Sequence, residues 1–184
     1  MKTLAIAVPA LALLLTACGE EAVEPGDPKS IDEVVAEAEN LAQPQPGLYR
    51  STTELVSLDI PGAPAAMADQ LRSMMGSQFS QSSESCITPE QAERGFEDQY
   101  RQIGEGMNGM SCEFEQFDVD GGDVDARLAC SGPQNTTATL TMDGEVGETR
   151  QSVDMAMEMR QPQLPGGSMD LRLTVLTERI GDCN

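Results

Sequence analysis

From Ser111 onward, apolar and polar residues alternate, and this alternation constrains the fold more than any other feature. Residues spaced by two share one face of a strand, so such a segment packs one side and wets the other. Residues 112–119 and 124–130 flank Asp120-Gly121-Gly122-Asp123, which reads as a hairpin turn. Residues 136–142 and 145–159 flank Asp143-Gly144, the strongest short hairpin signal. Residues 169–180 close the pattern, with Met169, Leu171, Leu173 and Val175 on one side.

Upstream, residues 48–60 read as a strand and 82–87 as a short extended segment. Residues 64–79 carry Met67, Leu71, Met74, Met75 and Phe79 at helical spacing. Thr88-Pro89-Glu90-Gln91 opens a further helix that should run to about Tyr100. Ser30-Ile31-Asp32-Glu33 is a capping box, opening a short amphipathic helix within 30–43 that stops before Pro44. The fold class expected is α+β: a mainly antiparallel sheet of roughly five to seven hairpin-connected strands with two or three short helices.

The start of the chain speaks to location. One positive residue, Lys2, precedes an apolar run to Leu15 and then Thr16-Ala17-Cys18. This is the layout of a secretory signal peptide, and the run falls short of the roughly 20 residues a membrane-spanning helix needs. Leu15-Thr16-Ala17-Cys18 resembles a bacterial lipobox, which implies removal of residues 1–17 and lipidation of Cys18. The expected anchor is then the membrane, through that lipid. In the enterobacterial class an aspartate after the cysteine retains the protein at the inner membrane. Gly19 stands there, so the outer membrane is expected. Residues 18–29 are acidic and rich in Pro and Gly, and read as a tether. The sheet-rich domain is expected over 44–184.

Five cysteines are present. With Cys18 lipidated, Cys86, Cys112, Cys130 and Cys183 remain, an even number that reads as two disulfides in an exported domain. Four cysteines allow three pairings. Cys112 and Cys130 flank the turn at Gly121, which sets them opposite each other, so Cys112–Cys130 with Cys86–Cys183 is favoured.

Composition excludes more than it assigns. Histidine is absent, and Lys29 is the sole lysine beyond the signal segment. Ser-His-Asp, Cys-His, Ser-Lys and Schiff-base chemistry therefore have no residues to run on. Zinc sites of the Cys/His kind lack ligands, and no phosphate-binding glycine motif occurs. The formal charge of −20 opposes nucleic acid and anionic lipid surfaces. Trp is absent, so a stacking platform for bases or sugars is not expected.

Two enrichments remain. The run from Asp118 to Asp125 invites a calcium reading, but it fails the EF-hand pattern: Gly122 sits at a ligand position and Asp123 at the glycine position. It is read as a solvated turn. Met155, Met157 and Met159 share one strand face, and Met107 and Met110 lie in a glycine loop. Core comes first for the three strand methionines, a deformable apolar-ligand surface second, and Cu(I) third. No cofactor is expected.

Several stretches resemble a proteobacterial envelope family catalogued as domain of unknown function 3617. They are Pro46-Gly47-Leu48-Tyr49, Cys86-Ile87-Thr88-Pro89-Glu90, Met110-Ser111-Cys112, Leu128-Ala129-Cys130-Ser131-Gly132 and Arg179-Ile180-Gly181-Asp182-Cys183. Tyr49 stands where members usually carry Trp. The resemblance implies secretion, disulfides and a sheet-rich domain, and no activity. The expected function is a non-enzymatic binding or assembly module of the envelope, with an envelope protein as possible partner. The alternatives are a carrier of an apolar ligand on the methionine-lined sheet face and a carboxylate-pair hydrolase.

Overall fold

The computed structural model describes residues 27–79, 82–106 and 109–183. Seven strands form one antiparallel sheet: β1 (Gly47–Asp59), β2 (Ser82–Ile87), β3 (Ser111–Asp120), β4 (Asp123–Gly132), β5 (Thr136–Val146), β6 (Arg150–Arg160) and β7 (Ser168–Gly181). Their order across the sheet is β2-β1-β7-β6-β5-β4-β3. Strands β3 to β7 are a meander, and β7 returns to pair with β1. The chain from β2 to β3 therefore crosses from one edge to the other, carrying two helices over one face.

Register explains why that face is apolar. Phe114, Leu128, Leu140, Met157, Leu171 and Leu58 stand in one row across six strands. Burying each such side chain contributes about 1.5–3 kcal/mol. The same rule makes the other face acidic, since Asp118, Asp125, Asp143 and Asp154 form a row across β3 to β6. Two bulges tune the packed side. In β3 the register shifts between Phe114 and Gln116, so Phe114 and Phe117, three residues apart, both point inward. In β1 a shift between Leu55 and Ser57 turns Leu55 and Leu58 inward and leaves Val56 exposed.

Among the described residues four α-helices accompany the sheet: α1 (Ile31–Ala38), α2 (Ala65–Phe79), α3 (Pro89–Arg94) and α4 (Glu97–Gly104). Helix α1 has the expected capping box between Ser30 and Glu33. Its Val34 and Ala38, with Leu41 beyond it, join the core of β3 to β5, so segment 30–43 and the sheet share one core. Lys29, read as tether, is tied down as well: its N–H donates to the Phe114 carbonyl at 2.8 Å and its ammonium meets Glu37 at 2.6 Å. Helix α2 rests on β1 through Leu71 and Met75, while Met67 and Met74 face outward. The shared apolar face expected for α2 is thus split.

The helix expected from Thr88 to Tyr100 is two helices. Thr88 caps the first as its sequence implies. Gly95 then adopts φ 57°, a left-handed conformation that suits glycine and ends the helix. The turn it makes brings Phe96 and Tyr100 into the core.

Asp143-Gly144 is not a turn. β5 runs through both residues, and Asp143 and Gly144 pair with Asp154 and Val153 of β6. The chain reverses after Val146, where the Gly147 N–H donates to the Arg150 carbonyl at 2.9 Å. Asp-Gly signals a hairpin because that turn needs positive φ, which Gly144 does not have. Its glycine answers a different need: a Cβ there would sit 2.4 Å from the Ser152 carbonyl oxygen and 2.8 Å from the Val153 Cα. The Gly121-Gly122 turn forms as expected, with φ of 61° and 109°.

Both disulfides pair as the strand pattern favours. Cys112 and Cys130 are register partners in β3 and β4, with Cα atoms 4.0 Å apart. Cys86 of β2 joins Cys183 at 5.6 Å, fastening the edge strand to the end of the chain.

Candidate functional site

The helices do not cover the packed face evenly. Helices α1 and α4 lie against β3, and α2 lies against β1. Between them a strip of β6 and β7 stays half-buried, including Val153, Met155, Val175 and Thr177. A cleft of ≈ 500 Å³ opens over this strip. Its floor is Val124, Met142, Val146, Val153, Met155 and Val175, and its helical wall is Phe96, Tyr100 and Ile103. That volume and apolar lining match small-molecule sites, which run about 300–1,000 Å³ and are mainly apolar with a few polar groups.

The floor follows from register. Met142 of β5 is directly opposite Met155 of β6, and Val153 is opposite Val175 of β7. The wall follows from Gly95, which lets Phe96 and Tyr100 descend onto the sheet. Tyr100 packs edge-on against Phe117, with ring centroids 4.8 Å apart, and against Phe114 at 6.5 Å. Burial pushes its hydroxyl up to about 12, so it stays protonated near neutrality. That hydroxyl makes no hydrogen bond among the described residues.

Polar groups ring the apolar floor. Ser51 and Thr177 pair through their hydroxyls at 2.9 Å. The Gln91 side chain accepts from the Thr88 N–H at 2.9 Å, as part of the helix cap. Gln99 and Gln151 line the cleft without side-chain hydrogen bonds among the described residues. Asp98 lies at the rim and is bound by Arg94 at 2.8 Å.

The three strand methionines separate. All are half-buried. All three pack against the larger apolar cluster, and Met157 also touches the smaller one. Of the three, Met155 is the one that also borders the cleft. Sequence reasoning missed Phe96 and Tyr100 as wall residues, and the signal was Gly95 within an otherwise helical stretch. Met107 and Cys18 lie outside the described residues, as do residues 1–17.

The opposite face carries the acids. Asp118, Asp120, Asp123, Asp125, Asp143 and Asp154 border one open depression. Partial burial, with the charges of Asp143 and Asp118, raises the Asp125 carboxyl above its ordinary range. Among the described residues no group of three or more acids or cysteines is arranged to hold a metal ion. None of their carboxylates is buried, so two sheltered acids of the kind a glycoside hydrolase uses are not found there.

The chain belongs to a family described as a protein of unknown function, DUF3617, whose model matches residues 44–183. No curated protein and no solved structure matches it. The match includes the four disulfide cysteines and every strand, and begins after α1. Tyr49 is almost fully buried, and its hydroxyl lies 2.8 Å from the Gln45 carbonyl and 2.9 Å from the Glu148 carbonyl, tying the β5–β6 turn to the start of β1.

Proposed function

We propose that this protein is a lipid-anchored, non-enzymatic module of the bacterial envelope that binds an apolar ligand in the cleft between α3–α4 and the sheet. The observation that carries the reading is the half-buried strip of Val153, Met155 and Val175 beneath Phe96 and Tyr100. A sheet that needed only a core would be covered there, because exposed apolar area costs about 25 cal/mol per Å². Met142 and Met155 give that floor an unbranched, deformable surface that accepts varied shapes. The acyl anchor expected on Cys18 would hold the module at the membrane, with the outer membrane favoured by Gly19.

The chain's residue content supports a binding role over catalysis. Histidine is absent, and Lys29 is engaged by Glu37 and Asp118. Val56, Met67 and Met74 are exposed apolar residues and could suggest an assembly surface. Single exposed apolar side chains are ordinary, so the cleft is the better-supported site.

A fluorescence titration tests the reading. The full chain carrying Cys18→Ser is titrated with the uncharged probe N-phenyl-1-naphthylamine. Saturable binding at one site, weakened about ten-fold or more by Val153→Phe, is the expected result. Equal binding by wild type and a folded Val153→Phe protein would remove the cleft from the account.

A further inference from the structure

We infer that the cleft selects an uncharged amphiphile, an apolar chain or ring bearing an oxygen acceptor, and rejects anionic ones such as fatty-acid carboxylates; this rests on the cleft being a ligand site. The ground is the chemistry of its wall. Among the described residues lining it, the one charged side chain is Asp98, already bound by Arg94. Among the described residues neither Lys nor Arg lines the cleft. A carboxylate brought in would lose hydration and find no cation to offset it, and desolvating an unpaired charge is among the costliest steps in binding. The formal charge of −20 on the chain adds long-range repulsion.

The polar groups present suit a neutral head. Tyr100 is 6% exposed, lines the cleft, and has a hydroxyl with no hydrogen-bond partner among the described residues. Among the described residues no buried side-chain polar atom lacks a partner, so this unpartnered hydroxyl is not sealed in the core but reaches open space. It offers one O–H donor to a carbonyl, ester or hydroxyl oxygen of a ligand. A tyrosine hydroxyl is protonated near neutrality in any case, and burial raises its pKa further, so it remains a donor there. Gln99 and Gln151 supply amide donors and acceptors at the rim. Apolar floor, one phenol and two amides match an ester, alcohol or ketone headgroup attached to a hydrocarbon body.

Two ligands of equal chain length separate the classes. N-phenyl-1-naphthylamine bound to the full Cys18→Ser chain is displaced with monododecanoylglycerol or with dodecanoate, each below its micelle concentration. The pH is about 8, where the acid is ionised. The glycerol ester should displace the probe at about ten-fold lower concentration or less. Gln151→Lys, on the rim, should close that gap by improving dodecanoate, and Tyr100→Phe should weaken the ester alone. If dodecanoate displaces as well as the ester, or Gln151→Lys leaves the ratio unchanged, head selection is wrong while the cleft stands. If the probe does not bind at all, the ligand-site reading fails and takes the inference with it. Circular dichroism of each variant confirms that a loss is not unfolding; Gln99→Lys replaces Gln151→Lys if the latter does not fold.

Discussion

Met142 and Met155 face each other across β5 and β6 and together floor the cleft beneath Tyr100. Two residues further along β6, Met157 lies between Leu140 and Leu171 and packs in the core. Two methionines of one strand, two residues apart, therefore differ in surroundings: Met155 borders the cleft and Met157 does not.

That difference is measurable. Met157→Ala should destabilise the fold by about 2 kcal/mol, the low end for a methionine truncation because the residue is only half-buried. Met155→Ala should cost less without ligand, since its side chain borders open space, and should weaken N-phenyl-1-naphthylamine binding. Urea denaturation and probe titration of both variants check the pair of outcomes. Equal stability losses would mean that Met155 is core.

The aspartate row sets a pH dependence. Partial burial and the neighbouring Asp143 and Asp118 raise the Asp125 pKa in the folded state. The folded protein then holds that proton more tightly than the unfolded chain does. Stability falls as pH rises through the window between the ordinary aspartate pKa and the raised one. At neutral pH the row is strained by like charges in register. Asp125→Asn should raise Tm at pH 7 and lose its advantage in acid, with added salt shrinking the gain. A Tm difference that grows on acidification contradicts this.

The disulfides differ in the loops they close. Cys86 and Cys183 are 97 residues apart and Cys112 and Cys130 are 18 apart. In the chain-entropy account, losing the longer link costs about 1.5 kcal/mol more. Cys86→Ser with Cys183→Ser should therefore lower Tm further than Cys112→Ser with Cys130→Ala. The reverse order would show that packing of the buried Cys112–Cys130 pair outweighs the entropy.

Cys18→Ser should release the protein from membranes or block its processing. Fractionation with immunoblotting decides it, and a variant that stays membrane-bound at wild-type size and level contradicts the lipobox reading.

Much of the sheet was legible because alternation and register obey one rule. Val124, Ala126, Leu128 and Cys130 all turn inward, and Asp123, Asp125 and Arg127 all turn out. The same rule placed Cys112 opposite Cys130. What was not legible were the places where one residue type serves two purposes. Asp143-Gly144 carries the chemistry of a turn, but Gly144 is needed for close approach of β6. Gly95 sits in a helical pattern yet ends the helix, and only that break brings Tyr100 over the sheet. The bulge near Glu115 moves Phe117 onto the face of Phe114, which strict alternation forbids. The cleft could not be read in advance for the same reason. Its floor is an ordinary strand pattern, and its existence depends on how far α2 and α4 each reach across it.

Methionine methyl groups report on that cleft directly. The chain has 11 methionines, and carbon-13 labelling turns their methyl groups into reporters. On titration of the full Cys18→Ser chain with N-phenyl-1-naphthylamine, the Met142 and Met155 methyls should shift together and saturate, while Met67 and Met74 on α2 stay in place. Shifts confined to Met67 and Met74, or no saturable shift at Met142 and Met155, would contradict the cleft as the binding site.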